Sequence, residues 1–515
     1  MSDNYDAIVI GAGHNGLVCA AMLGRAGKKV LVVEANDQVG GAAITREFTE
    51  GYSVSSCAHL LYQLQPAVKK ELGLKLDLAS ENMSTVALSA DGQHLRINSD
   101  QVVGVNEEDA AGYKAFHKRM TRFADLLNTF FNKIPPRLAK DASKADMLTL
   151  VQLGFNIRRL GRTEMQELLR LIGMNIRDEV VERFASPALR GAISLDAVLG
   201  THLGPRSPNT VLTYLYRLAG AKGQISQPVG GMGAVSELLA KSAQQYGAVI
   251  RTGMPVKSIV IDGGRVCGVE TNSGETFSAP LVVSNADPKS TIMCLVGVKN
   301  VETGFTRRVH HIRSNGNAAK LHLALDKLPK IDGIEDHEFA HRFVIAPDEV
   351  YVERAFNHAK YGETSVKPVL EISFPSVADK SMAPPGKHVM SAIVQYAPCK
   401  LRGGWTDSAK NVFLQSVMGT LSKFMPNIES CVIGTELLTS ADFEKQLHMT
   451  GGHWHHGELA LDQFLFTRPV GGAQQYAMPV DGLYLCGAGA HPGGGVSGAA
   501  GRNAARAILK AEKSV

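Results

Sequence analysis

Two glycine-rich runs at opposite ends of this 515-residue chain carry the first legible chemistry. Gly11-Ala12-Gly13-His14-Asn15-Gly16 follows directly on the apolar run Ala7-Ile8-Val9-Ile10, which reads as a strand. Gly11 permits a tight turn, Gly13 lets backbone N–H groups approach a pyrophosphate, and Gly16 lets the next helix pack close. The predicted helix, Asn15 to Arg25, points its positive N-terminus at the phosphates. Glu34, followed by Ala35, ends the next predicted strand, Val30 to Val33, where a carboxylate about 20 residues past the glycines holds a ribose hydroxyl pair. The glycines alone would fit any tight strand–helix turn; the helix and Glu34 turn them into a dinucleotide signature. Gly40-Gly41-Ala42 then supplies a second glycine pair, which a plain NAD site does not need. An extended FAD does need it, because its chain passes over this backbone. The second run, Gly487-Ala488-Gly489-Ala490-His491-Pro492-Gly493-Gly494-Gly495, leads into a small-residue helix around Ala499 to Leu509. Its expected flavin contacts are Gly487, His491, Gly495 and Val496, with the helix N-terminus favouring negative charge on the reduced flavin.

Two further stretches offer side chains for proton and charge transfer. Gly451-Gly452-His453-Trp454-His455-His456-Gly457-Glu458 invites a metal reading, but the histidines lack zinc-ligand spacing and no cysteine lies nearby, so no metal is expected. His456 and Glu458 are candidates to take or relay a proton, each with a structural role as the alternative. Ala319-Lys320-Leu321-His322-Leu323-Ala324-Leu325 alternates as a half-buried strand should. If its Lys320 face lines the cavity, Lys320 stabilises the reduced flavin anion; an ordinary solvated face is the competing reading.

The elements that position these residues can be outlined. Phe48 to Leu64 reads as an extended segment leading towards the flavin, with His59, Leu60 and Leu61 near its end. Glu107 to Phe131 is helical, with Tyr113, Phe116, Met120, Phe123 and Leu127 at three- and four-residue intervals. Helices continue from Lys133 to Arg177, carrying Lys133, Arg137, Lys140, Lys144, Arg158, Arg159 and Arg162 among apolar residues. That pattern suits either a face that meets anionic lipid or a solvated helix surface. Gly230-Gly231-Met232-Gly233 opens another amphipathic helix. Short strands follow at Ala248 to Arg251, Val256 to Ile261, Val266 to Thr271 and Leu281 to Ser284, with Asp262-Gly263-Gly264 as a hairpin turn.

Composition bounds the function. Apolar content of 44% and charged content of 20% are ordinary for a globular protein, and the length predicts two domains with ample cores. A net charge of +5 suits an anionic cofactor or a membrane surface and does not argue for nucleic acid. The seven cysteines include no CxxC pair, which disfavours a disulfide framework and a dithiol reductase. The first strand starts too early to leave room for a signal or transit peptide, and no apolar stretch is long enough to span a bilayer. A cytoplasmic location, with or without peripheral membrane contact, is the expectation.

The chain resembles the phytoene desaturase-type FAD oxidoreductases over essentially its full length, within the branch of desaturase-type β-carotene ketolases and pyridine nucleotide-disulfide oxidoreductase domain-containing protein 2. The matching pieces are Ile10 to Val18, Glu34 with Gly40-Gly41-Ala42-Ala43, Gly230 to Ala234, His456-Gly457-Glu458 with Leu461-Asp462-Gln463, and Gly489 to Gly494. Many members carry arginine after the glycine pair, where this chain has Ala42. The resemblance implies an α/β fold: a Rossmann-type FAD-binding domain of the amine oxidase/phytoene desaturase kind, interleaved with an α+β substrate domain. It implies a discontinuous FAD domain over 1–90, 221–290 and 470–515, and a substrate domain over 91–220 and 291–469. It also implies that Val256 contacts the adenine through its backbone and that Asn285 belongs to the cofactor site.

The leading function is therefore FAD-dependent dehydrogenation or desaturation of a small lipophilic, isoprenoid-like substrate by hydride transfer. No carboxylate-clamping arginine pair is evident. An amine oxidase ranks behind, because it needs an aromatic cage and only 6% of residues are aromatic. A flavoprotein that mainly binds a partner or regulates respiratory function is the third reading. Neither the substrate nor the oligomeric state is legible.

Overall fold

The computed structural model describes residues 4–137, 142–220 and 223–513; Lys140 lies outside them. The β-rich run Ala7–Ile10 is the central strand of a five-stranded parallel sheet. Its order is Val249–Arg251, Val30–Val33, Ala7–Ile10, Val282–Ser284, Leu483–Leu485. Three distant stretches of chain thus build one sheet. The central three strands are buried along their whole length, as parallel strands covered on both faces are. Helix His14–Arg25 packs between helices Met232–Gln245 and Ala499–Glu512. Gly16 has to be glycine here, since a Cβ would run into the Gly11 carbonyl oxygen. A three-stranded antiparallel meander, Val256–Asp262, Arg265–Thr271 and Thr276–Ser278, turns at Gly263-Gly264, both with positive φ.

The second body is an eight-stranded sheet in the order Val432–Leu438, Ala318–Leu325, His388–Gln395, Val369–Ser373, Arg342–Ile345, Thr85–Ala87, Leu95–Asn98, Gln101–Val103. Thr85–Ala87, on the N-terminal side of residue 90, pairs in parallel with Arg342–Ile345. Helices Glu107–Phe131, Pro187–Val198, Thr210–Leu218 and Glu349–Lys360 share a core that includes Phe116, Phe123, Leu195, Tyr214 and Phe356. The long helix starts where expected because the Asn106 side chain accepts the Asp109 N–H at 2.7 Å.

Strand Ala318–Leu325 corrects one expectation. It is buried on both faces, not half-buried. Leu321, Leu323 and Leu325 enter the core around Phe339, Phe343 and Phe374. The opposite face is roofed by the hairpin Thr45–Thr49/Tyr52–Ser55: Ala324 packs with Tyr52 and Val54, and the His322 ring lies 5.7 Å from that of Phe48. The solvated-face reading of Lys320 is thereby excluded.

Candidate active site

A cleft of about 1380 Å³, counted out to its open mouth, runs along the C-terminal ends of the parallel strands. Its floor is the first glycine run, with Gly11, Gly13, His14 and Asn15, then Glu34, Ala35, Gly40, Gly41 and Ala42. Val256 and Asn285 form the far wall. The Glu34 carboxylate is buried, accepting the Ala12 N–H at 2.6 Å and the Asn36 N–H at 3.0 Å. Helix His14–Arg25 has no side-chain cap, so its first N–H groups face the cleft with no competing partner. Asn15 Oδ1 and His14 Nε2 are buried and have no protein partner. The uncapped helix end and the close-packed glycine floor fit a dinucleotide pyrophosphate, whereas Asn15 Oδ1, an acceptor, suits a hydroxyl or N–H of the same dinucleotide.

His14 joins the two glycine runs. It hydrogen-bonds to the Gly495 backbone, and burial lowers its pKa to about 4 despite that bond. It lines both the cleft and an inner cavity, as do Ala42 and Trp454, so the two spaces meet at these residues. The inner cavity is bounded by Cys57, His59, Leu60, Tyr62 and Gln63 on one side. Leu199, Ile393, His455, Gly495 and Val496 complete it. Gly495, at φ 93°, leaves no room for a side chain against Gln63 Oε1.

The loop carrying Trp454, His455 and His456 is held by two buried anchors. Asp287, just past the strand Val282–Ser284, accepts the Ser290 hydroxyl at 2.6 Å and the Thr450 hydroxyl at 2.8 Å. Arg468 donates to the carbonyls of Gln463 at 3.0 Å, Glu458 at 3.2 Å, Gly457 at 3.3 Å and Ala488 at 2.8 Å, and also to that of His455. One guanidinium thus ties the histidine loop to the second glycine run. Burial lowers the pKa of Arg468 to about 10, and those of His453 to about 3 and His456 below the usual imidazole range.

At the inner cavity lies a charge cluster, Glu371, Arg217, Arg342 and Asp196, that sequence reading missed. Glu371 is 1% exposed and accepts from Arg342 Nε at 2.5 Å, Arg217 Nη2 at 2.7 Å and His59 Nε2 at 3.1 Å. Asp196 pairs with the same two arginines, at 3.1 Å from Arg217 Nε. Burial alone would raise the Glu371 pKa, but Arg342 and Arg217 outweigh it and hold the carboxyl well below its usual range. Burial, reinforced by Lys320, lowers His59 to about 4. Lys320 is 1% exposed and its Nζ has no protein partner. Burial brings its pKa down to about 7, against the pull of Cys57 and Glu371.

Of the nineteen residues expected at the cofactor, four lie outside both spaces. Gly16 sits under the first turn, Leu61 packs into the core of the parallel-sheet domain, and Gly487 crosses tightly over the Asn285 backbone. His491 turns away from the cleft: its Nε2 lies 3.2 Å from the Phe130 carbonyl oxygen, wedging the end of the long helix. Among the proton-transfer candidates, His456 lines the cleft. Glu458 does not; its carboxylate is bound by Arg313 at 3.0 Å and Asn315 at 2.8 Å, and Asp462 completes that pair, so its geometry is that of a structural ion pair. Lys320 stands behind the wall formed by Cys57 and His59. Arg217 and Arg342 do form an arginine pair, but one bound to the chain's own Glu371 and Asp196, whose distance in sequence leaves no local motif. Among the described residues no group of His, Cys, Asp and Glu is arranged to hold a metal ion, and no helix is long and apolar enough to cross a membrane.

Comparison with known proteins agrees with this geometry. The family model for flavin containing amine oxidoreductases matches residues 16–509. Pyridine nucleotide-disulfide oxidoreductase domain-containing protein 2 of Mus musculus is 32% identical across 100% of this chain and 95% of its own length. A phytoene desaturase (neurosporene-forming) of Cereibacter sphaeroides is 26% identical across 97% and 93%. The solved structure of cyclohexylamine oxidase from Brevibacterium oxydans superposes with a TM-score of 0.59 at 15% identity, over 99% of this chain and 100% of that one.

Proposed function

The chain belongs to the family of flavin containing amine oxidoreductases, and from that premise we propose that it is an FAD-dependent dehydrogenase or desaturase of a lipophilic substrate. The observation that carries the reading is the continuity of the dinucleotide cleft with the inner cavity at His14, Ala42 and Trp454. A cofactor long enough to use both spaces is FAD, which would accept a hydride equivalent from a substrate carbon held in the inner cavity. Leu60, Leu199, Ile393 and Val496 give that cavity apolar contact surface, and the only carboxylate on its wall, Glu371, is neutralised by its two arginines.

Within this reading the chain's own groups divide the labour. Glu371 holds the His59 ring in place, and burial with Lys320 lowers its pKa to about 4, so the neutral imidazole orients the substrate rather than taking up its proton. Lys320, with a pKa of about 7, holds or releases a proton near neutrality and places positive charge behind the cavity wall in its charged form. His456 faces the cofactor cleft. Its role is to orient rather than to carry charge, because burial lowers its pKa despite Asp287.

A second reading, amine oxidation, draws on Tyr62 and Trp454, which both line the inner cavity. One face of Tyr62 is already covered by the Arg217 guanidinium at 4.7 Å, which weakens the case for an open aromatic cage.

The test is anaerobic mixing of the FAD-loaded protein with isoprenoids, primary and secondary amines, and NAD(P)H, followed at the flavin absorbance. Bleaching by an isoprenoid and reoxidation by oxygen or a quinone is the expected result. Bleaching by amines alone supports the second reading. Bleaching by NAD(P)H alone, or by no donor, overturns both. A protein that takes up no FAD refutes the cofactor assignment.

A further inference from the structure

We infer that helix Lys144–Arg158 is a docking surface for an anionic phospholipid membrane. This inference stands apart from the dehydrogenase reading. On this helix Met147, Leu148, Val151 and Phe155 are 56%, 62%, 64% and 58% exposed. At about 100° per residue these four fall within an arc of about 100° on one side of the helix. A globular protein turns such a stripe inward; here the one buried residue of the helix is the charged Asp146. Contiguous exposed apolar surface of this kind marks an interaction site.

The charges decide what the partner is. Lys144 and Arg158 lie in the same arc, one at each end of the apolar stripe, and Arg159 and Arg162 follow directly. Arg159 stacks its guanidinium 5.8 Å from the Phe155 ring. The single carboxylate of the helix, Asp146, is turned inward and bound to Ser143 and Gln475, so no negative charge interrupts the face. An apolar stripe bracketed by cations is what an interfacial helix presents to acyl chains and anionic headgroups. A second copy of this chain is a poor occupant, because face-to-face packing would bring like charges together. At 15 residues the helix extends about 22 Å, too short to span a bilayer and suited to lie in its plane.

The test is sedimentation of the full-length, FAD-loaded protein with vesicles of phosphatidylcholine alone or with one-third phosphatidylglycerol. The protein should sediment with the phosphatidylglycerol vesicles and be largely released by 0.5 M salt. The pair Leu148→Glu/Phe155→Glu should weaken binding at least tenfold. The pair Arg158→Gln/Arg159→Gln should weaken it roughly 25-fold, about fivefold for each arginine. All four side chains are exposed, so melting temperature and flavin content should match the wild type in both variants. Failure of the wild type to sediment, equal binding to neutral vesicles, or wild-type binding by either variant overturns the inference. So does a wild-type dimer that Leu148→Glu/Phe155→Glu dissociates without any vesicle binding, which would make the face an interface between copies.

Discussion

Replacing Glu371 by glutamine tests the charge cluster at the inner cavity most directly. The substitution keeps the shape of the side chain and removes its charge. In the native cluster two arginines, Arg217 and Arg342, meet two carboxylates, Glu371 and Asp196. The variant leaves one uncompensated positive charge beside a 1% exposed guanidinium. Breaking a buried pair by removing one partner costs about 3–5 kcal/mol. Over the whole 515-residue chain, with an unfolding entropy of about 2.1 cal/mol/K per residue, 3 kcal/mol lowers the melting temperature by roughly 3 °C. Two functional signs accompany the loss of stability. Glu371 raises the Lys320 pKa, so in the variant the Lys320 titration moves down from about 7. Glutamine has one neutral acceptor oxygen for the three donors His59, Arg217 and Arg342, so the His59 ring is held less firmly than at 3.1 Å from a carboxylate and flavin reduction slows. Thermal unfolding of the FAD-loaded variant, with the pH profile of anaerobic flavin reduction, measures all three effects. The double variant Glu371→Leu/Arg342→Met removes both charges and should melt above Glu371→Leu alone. A Glu371→Gln protein that melts within about 1 °C of the wild type and keeps its pH profile refutes the argument.

Three other outcomes are expected. Arg468→Met strips five carbonyl groups of their donor and should release the loop bearing Trp454 to His456, costing at least tenfold in FAD affinity; Arg468→Lys should be intermediate, and wild-type affinity in Arg468→Met would refute the anchor. Cys294 is exposed and lines the dinucleotide cleft, whereas Cys267 is exposed away from it, so FAD should slow thiol labelling of Cys294 and leave Cys267 unchanged; mass spectrometry of the labelled peptides reads both, and equal labelling of Cys294 with and without FAD would misplace the cofactor. Burial depresses His59 and His491 to about 4 and His453 to about 3, so the unfolded chain binds their protons first. Their contribution to stability is complete above pH 6.5 and is lost as pH falls towards 4, at about 1.4 kcal/mol per pH unit for each histidine near pH 5. Melting temperatures of the holoprotein between pH 7.5 and 5 should therefore fall, and a flat profile would contradict the burial of these rings.

Much of the cofactor half was legible because its signals are local. A strand, a glycine turn, a helix and a carboxylate at the next strand end follow one another within Ala7 to Glu34, and each appears in the structure at the expected place. Periodicity likewise located helix Glu107–Phe131 and the meander from Val256. Three-residue strands such as Thr85–Ala87 carry no period long enough to read, and they were passed over. The ring of His491 is placed by the Phe130 carbonyl on a helix far away in sequence, a contact its glycine-rich surroundings do not signal.

The amino-acid sequence by itself determined the glycine-floored cleft, since the backbone turns and helix end that line it are specified by adjacent residues. The charge cluster at the inner cavity was decided only by the tertiary structure. Glu371, Arg217, Arg342, Asp196, His59 and Lys320 come from six separate elements, and none is near enough to another in sequence to form a motif. The pKa shifts of Glu371, His59 and Lys320 follow from burial and from neighbouring charges, quantities that exist only once the sheet, the helices and the extended segment have closed over them.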